Sequence, residues 1–123
     1  VVNALGEIID DQGRIIAGIR NDADNGFIPS LDVLKNAQSD LTFRPTNTTL
    51  VVVATNAGLS RQGATKVAQM AQDGLALAVR PAHTMLDGDV VFVLSTGDLE
   101  ADVSRVGAFA CQTVAESIRR AAV

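Results

Sequence analysis

A chain of 123 residues has material for one domain with a real core and not for two. Its 47% hydrophobic and 20% charged residues are a globular balance that argues against disorder, and a net charge of −4 with 3% aromatics and no Trp or Tyr offers nucleic-acid phosphates and bases no partners. The lone Cys111 cannot form an internal disulfide, no apolar run approaches the ~18 residues of a membrane span, and no signal-peptide pattern opens the chain, so no membrane and a cytoplasmic location are expected.

Val1 to Ile9 reads as a strand interrupted by Gly6, and Ile15 to Ile19 as a second, joined through Asp10-Asp11-Gln12-Gly13 as a hairpin. Val1 has no methionine before it and falls directly into strand-like sequence, which reads as entry partway through a domain. Asn3 is the one polar side chain in that apolar opening, and as an edge residue it would be satisfied by backbone groups. Asn21 to Arg44 is a long polar connection. Its Asp-rich start lacks the EF-hand ligand pattern and reads as a solvated loop, and Ser30 is expected to cap one or two helical turns reaching Ala37.

Thr48 to Thr55 predicts a strand apolar on both faces, ended by Asn56-Ala57-Gly58. Ser60 suits an N-cap, and Ala64, Val67, Ala68, Ala71, Leu75 and Ala78 form a helical stripe that stops at Arg80-Pro81, with Lys66 at the surface and Met70 as filler. Val90 to Thr96 predicts another strand, and Gly97-Asp98 the start of a final helix whose stripe is Val103, Val106, Ala110, Val114, Ile118 and Ala121. Cys111 lies near that stripe as a small buried hydrophobe, and Glu116, Arg119 and Arg120 read as a solvated face. Strand, helix, strand, helix after Thr48 implies a mixed sheet covered by helices, an α/β fold.

Two stretches carry candidate chemistry. Arg44-Pro45-Thr46-Asn47-Thr48-Thr49-Leu50 is a proline-marked loop running without a break into apolar Val51-Val52-Val53-Ala54. Either Thr48 and Thr49 simply begin a strand, or the Asn47–Thr48 peptide is where the chain cuts itself, leaving Thr48 with a hydroxyl nucleophile and its own α-amine as base. Pro81-Ala82-His83-Thr84-Met85-Leu86-Asp87-Gly88-Asp89 follows the Ala-rich helix. His83 is the only histidine and reads equally as a hydrogen-bonded structural residue, and Asp87-Gly88-Asp89 alone reads as a turn.

Taken together, Asn47-Thr48-Thr49-Leu50 before a hydrophobic strand, Pro81 to Asp89 after the Ala-rich helix, and Val1-Val2-Asn3-Ala4-Leu5-Gly6-Glu7 resemble one family in its order and spacing. It is the self-processing, N-terminal-nucleophile family of DmpA-type aminopeptidases, β-peptidyl aminopeptidases and nylon-oligomer hydrolases. The threonine after asparagine, and Asp at the first position of the acidic pair, are most similar to the nylon-hydrolase branch. The resemblance implies an αββα sandwich of the DmpA type, of which this chain is the C-terminal part, with residues 1–47 ending an α-subunit and 48–123 forming a β-subunit. It implies cleavage between Asn47 and Thr48, catalysis by Thr48, an oxyanion contact from Asn3, and an amine held by Asp87 and Asp89. No metal or organic cofactor is implied. The partners implied are the upstream part of the same protein, a small amide or peptide substrate, and further copies in a homo-oligomer of α/β heterodimers. Small peptides or nylon-like oligomers, N-terminal β- or D-amino-acid peptides, ornithine-acetyltransferase-like acyl transfer and an inactive remnant stay open as alternatives.

Overall fold

The computed structural model describes residues 1–36 and 47–122. The elements run β1 (Glu7–Ile9), β2 (Ile15–Ala17), β3 (Ile19–Arg20), β4 (Phe27–Ile28), α1 (Ser30–Asn36), β5 (Leu50–Ala57), α2 (Arg61–Ala78), β6 (Val79–Arg80), β7 (Val90–Leu99) and α3 (Val103–Ala121). Arg44, Pro45 and Thr46, and the expected end of the short helix at Ala37, lie outside the described residues.

Two long helices pack on one face of a parallel pair. β5 and β7 run in register from Leu50 opposite Val90 to Thr55 opposite Ser95. Val51, Val53, Val91 and Val93 alternate toward the helices and join a core of Val67, Ala71, Leu75, Ala78, Ala110, Val114, Ala115 and Ile118. Small residues let α2 and α3 approach closely. A Cβ on Gly74 would collide with the Cys111 carbonyl oxygen, and one on Gly107 with the Met70 sulfur, so Met70 does fill a gap as expected.

Several expectations are corrected. β5 and β7 are not covered on both faces by the described residues: Leu50, Val52, Phe92 and Leu94 are 47%, 63%, 55% and 52% exposed. Only Glu7–Ile9 of the first predicted strand enters the hairpin, where it pairs antiparallel with β2 on one side and β6 on the other. Gly6 ends the earlier run because its Cα passes against the Arg80 and Pro81 carbonyls, where a side chain has no room. The final helix starts at Val103, not at Gly97-Asp98, and its first turn is capped by Asp102 accepting from the Arg105 N–H at 2.8 Å. Gly97 instead continues β7 against the backbone of Asn56, at a register shift in β5 between Thr55 and Ala57. Ser60 caps α2 as expected, accepting from the Gly63 N–H at 3.1 Å.

Two polar side chains act structurally in ways their sequence surroundings hide. Ser30 does not cap α1; its hydroxyl is buried without a partner among the described residues, and its N–H donates at 2.8 Å to the carboxylate of Glu7, which is only 5% exposed. Arg119 is only partly exposed, with 20% of its side chain open to solvent. Its guanidinium donates to the carbonyls of Ile9 and Leu77 at 3.1 and 3.0 Å, tying the end of α3 to the hairpin and to α2.

Candidate active site at the start of the parallel strands

Parallel strands in register bring the residues before them together. Because Leu50 faces Val90, the segment Asn47-Thr48-Thr49 lies beside Asp87-Gly88-Asp89, and Asn47 forms an isolated parallel bridge with Asp87. The first residues of the chain flank the other side. The Thr48 N–H donates to the Asn3 carbonyl at 3.0 Å, and Val1 and Leu50 exchange both backbone hydrogen bonds at 2.9 Å. All five residues singled out in the sequence, Asn3, Asn47, Thr48, Asp87 and Asp89, therefore meet at one end of the β5–β7 pair.

The Asn47 carbonyl oxygen is the focus of this cluster. It accepts from the Thr48 hydroxyl at 2.7 Å and from the Gly88 N–H at 3.1 Å. A backbone N–H on a carbonyl oxygen stabilises negative charge that develops there, and a hydroxyl held at the same carbonyl is close to its carbon. Gly88 leaves the room for this, since a Cβ there would sit 2.9 Å from Thr48 Oγ1.

The two carboxylates differ in what they touch. Asp89 Oδ1 accepts from the Thr49 N–H at 2.8 Å, and its Oδ2 lies 3.8 Å from Nδ1 of His83, with the Asp89 side chain only 7% exposed. Asp87 accepts from the Leu5 N–H at 3.3 Å and from the Thr84 hydroxyl at 2.7 Å. Two of these hydrogen bonds go to residues that frame Thr48: Thr49, just before β5, and Leu5, in the segment that carries Asn3. His83, whose Nδ1 lies 3.8 Å from Asp89, takes a left-handed backbone, φ 58°. Asn47 is also held by its side-chain amide, which donates to the Ala4 carbonyl at 3.2 Å.

Three contributors escape a reading of the sequence. Gly88 looks like a turn spacer, yet its N–H bonds the Asn47 carbonyl and its missing side chain leaves room for the Thr48 hydroxyl. Thr84 is legible only as a hydroxyl three residues before Asp87, a spacing that suits a local hydroxyl–carboxylate contact. Thr49 is 1% exposed, and its hydroxyl has no partner among the described residues. Cys111 stays outside the site: burial, with Asp73 nearby, pushes its thiol pKa up, which disfavours a thiolate nucleophile. Among the described residues no group of three or more His, Cys, Asp or Glu is arranged to hold a metal ion, and no helix is long and apolar enough to cross a membrane.

A family model described as peptidase family S58 matches residues 7–123. The chain belongs to peptidase family S58. This is the DmpA-type aminopeptidase family that the sequence resembles, and Thr48, Asp87 and Asp89 fall inside the matched stretch while Asn3 lies just ahead of it. An uncharacterized aminopeptidase of Mycobacterium leprae is 62% identical over 55 residues, which are 45% of this chain and 15% of that protein. Uncharacterized aminopeptidases of Mycobacterium bovis and Mycobacterium tuberculosis are each 55% identical over 53 residues, 43% of this chain and 15% of theirs. The matched stretch is thus a small part of these relatives, which are far longer than this chain.

Proposed function

We propose that this S58 chain carries the nucleophile of a self-processing, aminopeptidase-type amide hydrolase, with Thr48 as the N-terminal nucleophile after cleavage between Asn47 and Thr48. The observation that supports it most is the pair of hydrogen bonds on the Asn47 carbonyl, from the Thr48 hydroxyl and the Gly88 N–H. In the first step Thr48 Oγ attacks the Asn47 carbonyl carbon and loses its proton, the C–N bond breaks, and the Thr48 nitrogen takes up a proton as the amine. Water then cleaves the ester, leaving Asn47 as a carboxylate and Thr48 as a free N-terminus.

In turnover the Thr48 amine accepts the proton of its own hydroxyl as that hydroxyl attacks an external amide, and returns it to the departing amine as the C–N bond breaks; water then hydrolyses the Thr48 ester and releases the acid. Asn3 contributes an amide donor to the oxyanion, and Asp87 and Asp89 fix the frame and stabilise the ammonium. A nearby carboxylate raises an amine's pKa, so exclusion of water is needed to keep the base useful near neutral pH. Residues 1–47 end one subunit and 48–123 form the other, and copies of that heterodimer associate. The bare face carrying Val52, Phe92 and Leu94 suits a second sheet packed on it, as an αββα sandwich requires.

The relatives' names favour small peptides with a free N-terminal residue as substrates over nylon-like oligomers. Thr48→Ala in the full-length protein should abolish hydrolysis of such peptides, and Thr48→Ser should retain part of it. An active Thr48→Ala protein would end the proposal, and acyl transfer to ornithine without hydrolysis would reassign it to a transferase.

A further inference from the structure

Val1 to Asn3 and Thr48 to Leu50 form the start of an antiparallel ladder. Leu50 and Val1 exchange both bonds, and the Thr48 N–H meets the Asn3 carbonyl. In such a ladder every second residue of a strand is hydrogen-bonded to the same neighbour, so the next positions on β5 are Val52 and Ala54. Their N–H and C=O groups point away from β7, because the intervening residues serve that strand: Thr49, for example, receives the Val90 N–H. Among the described residues β5 pairs in a sheet with β7 alone. An open edge of this length on an apolar strand is a template for another strand.

The edge does not face bare water. Beside it runs a groove of about 590 Å³ that begins at Val1 and Val2 and is walled by Val106, Phe109, Thr113 and Val114 of α3. Phe109 is 64% exposed there, although it belongs to a helix that buries its neighbour Ala110.

We propose that this edge and groove receive the polypeptide that leads into Val1 in a protein of the relatives' length, as a strand antiparallel to β5 that prolongs the Val1–Leu50 ladder. The second and fourth residues before Val1 hydrogen-bond to Val52 and Ala54. The first and third turn toward α3, on the side of Val51 and Val53, and are therefore apolar. Continuity selects this occupant over a second copy of the chain, since the Val1 nitrogen already lies in the ladder and a strand prolonged through it enters the edge without a turn. The inference does not depend on the chemistry of Thr48.

Residue-resolved amide exchange on this chain and on the full-length protein tests it. The Val52 and Ala54 amides should exchange fast in the 123-residue chain and be slowed roughly 100-fold in the full-length protein, while Val51 and Val53 are protected in both. Protection of Val52 and Ala54 that rises with concentration in the short chain would assign the edge to a second copy and overturn the proposal, as would their fast exchange in the full-length protein. A second readout needs only the full-length protein: the residue before Val1 should show an Hα–Hα cross-peak with Val51, its partner in a non-hydrogen-bonded pair. Its absence, with β5 otherwise assigned, overturns the register.

Discussion

The Thr48 hydroxyl lies 2.7 Å from the carbonyl oxygen of Asn47, and the Gly88 N–H reaches the same oxygen at 3.1 Å. This geometry gives Gly88 a role that can be isolated by substitution. Its φ lies outside the left-handed range, so alanine fits its backbone, but the new methyl would press on Thr48 Oγ1 from 2.9 Å. Gly88→Ala should therefore slow cleavage at Asn47–Thr48 roughly 10- to 100-fold by displacing the hydroxyl, with an unchanged far-UV circular dichroism spectrum. Cleavage at the normal rate, timed by mass spectrometry, would show that the hydroxyl does not need its present position. Asn47, Thr48, Asp87 and Asp89 were legible as candidates through the family resemblance, since by themselves the threonines read as a strand start and the two aspartates as a turn. Gly88 was not, since its contribution is an N–H and an empty volume, and neither has a sequence signature.

At the scale of elements, α2 and β7 were readable because a stripe at helical spacing and an unbroken apolar run each satisfy one periodicity. The boundaries that failed were decided by partners distant in sequence. Gly97 reads as a breaker until it is seen against Asn56, and Arg119 reads as solvated until it reaches Ile9 and Leu77. The α2–α3 contact offers a comparison of two glycines. Alanine gains about 1 kcal/mol over glycine in a helix interior, whereas overpacking costs about 1–3 kcal/mol. At Gly74 the obstacles are the backbone carbonyl of Cys111 and the β-branched Val114; at Gly107 they belong to the flexible Met70 side chain. Gly74→Ala should lower Tm by several degrees, and Gly107→Ala should change it much less. Equal shifts in thermal unfolding would mean that the backbone of α3 yields as readily as a methionine.

For the molecule as a whole, the α/β class followed from chain order, whereas the meeting of both chemical stretches was expected from the resemblance and is explained by the parallel pairing of β5 and β7. Two parallel strands connected through a helix must begin at the same end of their sheet, so residues before each are neighbours. Coverage is less legible: Thr48 to Thr55 reads as apolar on both faces, and among the described residues only one of those faces is covered. A run of valines suits a strand covered on both faces and does not by itself say what covers each face. The proposed cut before Thr48 is read directly by the denatured intact mass of the full-length protein. A C-terminal piece beginning at Thr48, which within the present sequence is 76 residues, split from a piece ending at Asn47, is the expected result. A single uncut mass, or a cut at another bond, would contradict it.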